Sequence, residues 1–162
     1  MKHIHLTLGL LLLALANGCG PSFTAATPPG FVELDADYDN YDYRATTADG
    51  LVIGVREVEH DPKGDLDFWV RAIENELRAR GGYALIESKS IKNAQGLSGR
   101  QLWFGHDEGQ KPHLYMVTLF LTEGSWLSDG WIYLLEVGGT KEQIDKQRQQ
   151  IAWAVDKFEG DL

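Results

Sequence analysis

The hydrophobic pattern of this chain changes period several times, and each change marks an element. Ile4 to Ala16 is apolar nearly throughout, interrupted only by His5 and Thr7, and small residues follow up to Cys19. Residues 20–30 (GPSFTAATPPG) show no period. Short strand-like runs at 31–34, 41–47 and 51–58 come next, the last two joined by Ala48-Asp49-Gly50, where Asp-Gly tolerates the positive φ of a tight hairpin. Asp61-Pro62-Lys63-Gly64 breaks the chain, and residues 66–80 then switch to helical spacing, with Leu66, Trp69, Val70, Ile73 and Leu77 on one stripe. Asp65 and Asp67 suit the positive end of that helix, Arg78 and Arg80 its negative end, and Gly81 a left-handed C′ position. Glu74 with Arg78 and Glu76 with Arg80 are favourable i,i+4 pairs on the wet side.

Residues 83–92 and 98–104 read as strands across Asn93-Ala94-Gln95-Gly96, followed by a polar loop at 105–112. The two most hydrophobic strands, 113–122 and 131–137, are connected by 123–130. Both are apolar on both faces; the first carries Tyr115, Val117, Leu119 and Leu121 on one and Leu114, Met116 and Phe120 on the other. Such strands belong in the centre of a sheet covered on both sides. The first helix is one cover. A last helix at 141–158 is the other: Thr140 and Gln143 form its capping box, and Ile144, Ile151, Val155 and Phe158 its buried stripe. This order predicts an α+β fold, a mostly antiparallel β-sheet flanked by two helices, in one domain over residues 31–162.

The opening block changes the picture of where the chain works. Lys2, the apolar run and the small residues before Cys19 have the layout of a cleaved secretory signal, too short for a comfortable membrane span, so residues 1–18 are expected to be a signal peptide. Cys19 is the only cysteine, which leaves no internal disulfide. It is either a stray thiol or an acylation site. Leu15-Ala16-Asn17-Gly18-Cys19 resembles the bacterial lipobox, with Gly18 at the cleavage position and Ala16 where leucine is usual. That resemblance implies diacylglycerol on the Cys19 sulfur, often with a further N-acyl chain such as palmitate, making membrane lipid the first partner. Two or more acyl chains hold a protein stably on a bilayer. Gly20, rather than aspartate, resembles sorting to the outer membrane, on its periplasmic or surface face, in a host with two membranes. Residues 19–30 are expected to form the lipidated cysteine and a flexible tether.

Charge narrows the partners further. The 162 residues carry 15 Lys+Arg against 24 Asp+Glu, and cleavage before Cys19 removes Lys2 and no acid, leaving 14 − 24 = −10. Nucleic acid and anionic headgroups need a concentrated basic surface, and the sequence has none. The densest acidic stretch, Asp35-Ala36-Asp37-Tyr38-Asp39-Asn40-Tyr41-Asp42, starts like a calcium loop, but Asn40 stands where the loop glycine belongs and Thr46 where the closing glutamate belongs. The alternation of Tyr38, Tyr41 and Tyr43 fits a wet strand edge better. His106, Asp107, Glu108 and His113 are metal-capable and near in sequence, but lack HExxH or CxxC spacing. There is no GxSxG elbow and neither phosphate-binding glycine motif. No catalytic residue, metal or cofactor is therefore expected, and the chain reads as not an enzyme, although a pair of glycosidase carboxylates needs no motif.

The hairpin TTADGLVIGVREV, the helix DFWVRAIENELRARGG, the segment SGRQLWF and the ending IYLLEVGGTKEQIDKQRQQIAWAVDKFE together resemble the PsbP-like α/β/α sandwich over most of residues 31–160. That family includes bacterial lipoproteins of the DcrB and LpqN types, photosystem subunits and a regulator of a small GTPase. The resemblance implies a non-enzymatic binding or accessory role and transfers no catalytic residue. Three aromatics fall outside the predicted core stripes: Trp126, beside Leu127 in the 123–130 connection, Trp153 opposite the last helix's stripe, and Phe68 off the first. Trp126, Leu127 and Trp153 are the candidate contacts for a protein partner, since aromatic anchors concentrate binding energy. The alternatives are a carrier holding a small apolar ligand between sheet and helix, and an envelope hydrolase.

Overall fold

The computed structural model describes residues 21–35, 40–109, 111–124 and 130–161. Cys19, Asp37, Asp39, Trp126 and Leu127 lie outside the described residues. Among the described residues nine strands and three helices follow in the order β1 Phe23–Thr24, β2 Val32–Leu34, β3 Tyr43–Thr46, β4 Val52–Glu59, α1 Leu66–Gly81, β5 Ala84–Lys92, β6 Ser98–Glu108, β7 Lys111–Leu121, β8 Trp131–Thr140, α2 Lys141–Lys146, α3 Arg148–Lys157 and β9 Glu159–Gly160. Seven strands form one antiparallel sheet in the order β2-β3-β4-β8-β7-β6-β5. The expected α+β architecture is the one observed. The two strands with apolar residues on both faces, β7 and β8, sit side by side in the sheet's interior.

Alternation divides the core in two. On one face Ile53, Val55, Met116, Phe120, Tyr133, Leu135 and Val137 pack under Ile144, Ile151, Ala154 and Val155 of α2 and α3, with Phe158. Phe158 is the hub: its ring stacks on Phe120 at 5.3 Å and 2°, and meets Tyr133 at 5.3 Å and Phe23 at 5.7 Å. On the other face Leu102, Phe104, Val117, Leu119 and Ile132 pack under α1, whose Leu66, Trp69, Ile73 and Leu77 are only partly buried. Asp65 caps α1 by accepting from the Phe68 amide at 2.7 Å. The capping box of α2 is complete: Thr140 Oγ1 accepts from the Gln143 amide at 3.3 Å, and Gln143 Oε1 accepts from the Thr140 amide at 2.8 Å.

Five expectations are corrected. The polar loop at 105–112 is mostly ladder, with His106 opposite His113 and Glu108 opposite Lys111, because the hairpin's pairing continues past its apolar part. The last helix is two helices, so the sheet is flanked by three and not two: α2 ends at Gln147 (φ −107°, ψ 14°) and α3 restarts there. Neither Gly nor Pro marks the break; both halves bring an isoleucine, Ile144 and Ile151, into the core, so packing on the twisted sheet sets it. Phe158 lies just past α3 in extended conformation, and the left-handed residue after α1 is Gly82 (φ 65°), one position later than expected. Finally, residues from Pro21 to Gly30 are seated on the domain and are not a loose tether. β1 pairs with β9, Phe23 opposite Gly160, and the Phe23 ring joins the Phe158 hub.

Candidate functional site

The α1 face of the sheet carries a charge where its strand is otherwise apolar. Alternation points Glu136 of β8 toward α1, between Leu134 and Gly138, and burial leaves it 4% exposed. A carboxylate so buried needs partners. Across the ladder Glu136 faces Gly54 of β4 on one side and Val117 of β7 on the other. Its partners come from the diagonal positions, which long side chains reach. Arg56, two residues beyond Gly54, donates from Nε at 3.1 Å and from Nη2 in a bidentate ion pair. The hydroxyls of Tyr115, opposite Gly138, and of Tyr41 lie close enough to the same carboxylate to feel its charge.

Gly54 makes room for this arrangement. A Cβ there would stand 2.6 Å from the Tyr41 ring, which lies over the bare backbone. The guanidinium groups of Arg44 and Arg56 stack against that ring, 5.6 and 5.2 Å from its centroid. Burial, then the negative charge of Glu136, pushes both the Tyr41 and Tyr115 hydroxyls well above the ordinary tyrosine range. Both phenols are therefore neutral donors at physiological pH. The Glu136 carboxylate accepts both bonds of the Arg56 guanidinium fork.

Beside this cluster, α1 and the sheet leave a cleft of about 370 Å³, walled by Trp69, Ile73 and Leu77 from the helix and Tyr115, Val117 and Leu134 from the sheet. Arg56, Glu76 and Glu136 also border it. The indole N–H of Trp69 is buried in this region without a hydrogen-bond partner. The cleft is apolar with a polar border, the general form of a small-molecule site. A larger open hollow of about 700 Å³ lies at the sheet end where α2 starts. Its side chains are tied to one another: Lys146 to Asp49 at 3.3 Å, Lys141 to Asp145, and Gln143 to the Asp49 carbonyl.

The residues singled out in the sequence are dispersed. Trp153 stands 37% exposed on α3, on the opposite face from the cleft, and Phe68 is 43% exposed at the start of α1, edge-on to Trp69. The His106 ring meets that of Tyr83 at 5.1 Å, tilted by 41°, and His113 Nδ1 lies 3.1 Å from the Lys111 carbonyl. Among the described residues, no three His, Cys, Asp or Glu side chains are grouped to hold a metal. The Arg56–Glu136–Tyr115–Tyr41 cluster escaped the sequence reading. One signal was available: a lone glutamate inside the apolar run of β8.

No family model and no curated protein matches this sequence. Solved structures do match in shape. LpqN of Mycobacterium tuberculosis, described as involved in cell envelope biogenesis, superposes with TM-score 0.67 at 13% identity, covering 90% of this chain and 86% of its own. The Ran-binding protein Mog1p of Saccharomyces cerevisiae gives 0.57 at 14% identity, covering 86% of this chain and 90% of its own. A Pseudomonas aeruginosa protein of unknown function gives 0.50 at 12% identity, over 85% and 81%. What these likenesses establish is the fold: this chain has the LpqN-like α+β architecture.

Proposed function

We propose that this chain is a lipid-anchored, non-enzymatic binding or accessory protein of the bacterial cell envelope, joined to membrane lipid through acylated Cys19 and docking a protein partner. The observation that carries this is the fold shared with LpqN, a protein involved in cell envelope biogenesis, over 90% of this chain. The lipobox-like ending of the leader supports the anchor, and Gly20 supports outer-membrane placement in a host with two membranes. The PsbP-like resemblance supports an accessory role without catalysis. Trp153, exposed on α3, supports a contact surface there, and Trp126 and Leu127 stand with it as sequence candidates. The test is a crosslinked pull-down from membranes with the lipidated protein. Trp153→Ala and Trp126→Ala should each weaken partner recovery while the melting temperature stays within about two degrees. A strongly lowered melting temperature would make the residue part of the core and remove it from the contact site.

The cleft under α1 favours one further reading, a carrier of a small apolar ligand. Ile73→Trp, which would fill the cleft, should then abolish uptake of a fluorescent acyl-chain probe. Unchanged uptake would dismiss the cleft as a carrier site.

A further inference from the structure

Ser22 is held from four sides. Glu57 accepts from its amide at 2.8 Å and from its hydroxyl at 2.7 Å, Tyr133 Oη lies 2.8 Å from that hydroxyl, and the Asp161 amide donates to its carbonyl at 3.0 Å. One residue later β1 is paired with β9. The domain therefore grips its chain three residues after Cys19. Three extended residues reach about 11 Å, whereas a tether running freely to Phe31 would reach about 40 Å.

We infer that one end of the sandwich lies directly against the bilayer: the end bearing Ser22, the β5–β6 turn and the start of α1. This rests on the proposed acylation of Cys19. The β5–β6 turn belongs to this end because Gln95 hydrogen-bonds Gly160 through both its amide atoms, at 2.8 and 3.1 Å. The start of α1 belongs there because Asp67 pairs with Arg100, near the beginning of β6, at 2.9 Å. Among the described residues, two apolar side chains are exposed toward the same end, Val58 at 44% and Phe68 at 43%. Glu57, Glu59, Glu159 and Asp161 are there too, so attraction to anionic headgroups is not what holds the domain down. The acyl chains and the short reach impose the apposition. The β3–β4 turn and the start of α2 point away, since β8 runs about 23 Å from Tyr133 to Thr140.

The test uses the full, lipidated protein in vesicles of phosphatidylethanolamine and phosphatidylglycerol containing headgroup-nitroxide lipid. With the Cys19 sulfur in a thioether, an introduced cysteine is the sole free thiol for a fluorophore. Dye on Ala94→Cys or Lys92→Cys should be quenched several-fold more than dye on Glu142→Cys, and 1 M salt should not release the protein. Fifteen Gly-Ser residues inserted between Gly20 and Pro21 should erase the contrast. Equal quenching at both ends of the acylated, uninserted protein overturns the orientation while leaving the anchor intact. A contrast that survives the insertion overturns the short reach as its cause. A mature Cys19 without diacylglycerol by mass spectrometry overturns the anchor and the orientation together.

Discussion

Gly54 and Glu136 face each other across β4 and β8, and the space without a side chain is what lets Tyr41 lie down on the strand. Gly54→Ala should displace the ring and cost about 1–3 kcal/mol, as overpacking does; thermal unfolding reads this directly, and an unchanged midpoint would mean that Tyr41 relocates freely. The buried phenols also give stability a pH dependence. Tyr41, Tyr43, Tyr115 and Tyr133 all titrate above the ordinary value of 10.0 in the folded chain, chiefly because burial disfavours the phenolate. Between the unfolded and folded values the unfolded chain has lost protons that the folded chain still holds, so stability must fall as pH rises. Urea unfolding should therefore show constant stability through about pH 9 and a decline above about pH 10, shallower in Tyr115→Phe. A decline as steep in that variant would assign the effect to the other tyrosines. At this scale the sequence displayed the glutamate but not its partners, because Arg56 and Tyr115 reach it across strands that only the register brings together.

The two helical covers are not equivalent. Ile144 and Ile151 are 0% and 2% exposed, whereas on α1 even Val70, its most buried apolar residue, keeps 9%, and Ile73 borders the cleft. Ile151→Ala should cost about 2–5 kcal/mol, the usual range for a closed aliphatic core, and Ile73→Ala only about 1–2 kcal/mol. Equal losses in denaturant titrations would mean that the cleft closes in solution. The stripes of both covers were legible in the sequence, since helical spacing of Leu, Ile and Val survives any detail of packing. How tightly each cover sits was not. Nor was the break at Gln147, which has no Gly or Pro to announce it. The ladder from His106 to Glu108 was hidden for the opposite reason: its residues have loop-like composition and are strand only because the hairpin continues through them.

At the scale of the molecule, the N-terminal segment that looked like a spacer is part of the domain. A chain starting at Phe31 would lose the β1–β9 pairing and the Phe23 contacts with Tyr133 and Phe158. It should be about 2–4 kcal/mol less stable than one starting at Pro21, measured by chemical denaturation; equal stabilities would return the segment to the role of a tether. Membrane attachment is a separate expectation. Cys19→Ala should move the protein from the membrane to the soluble fraction, and a variant still membrane-bound would defeat the lipid anchor.

The sequence by itself determined what depends on neighbours along the chain: the period of each strand and helix, the hairpin turn at Asp49-Gly50, the α2 capping box, and the two-faced apolarity that places β7 and β8 inside the sheet. Those signals are local, and local physics carries them. Only the tertiary structure decided which carboxylate is buried and what satisfies it, where α1 leaves a cleft, and that Ser22 is clamped by Glu57, Tyr133 and Asp161. Each of these joins residues far apart in the chain, 35 to 139 positions at the Ser22 clamp, whose meeting is set by sheet order and register. A segment of small, proline-bearing residues has no pattern of its own, so whether it hangs free or docks depends on the surface it meets.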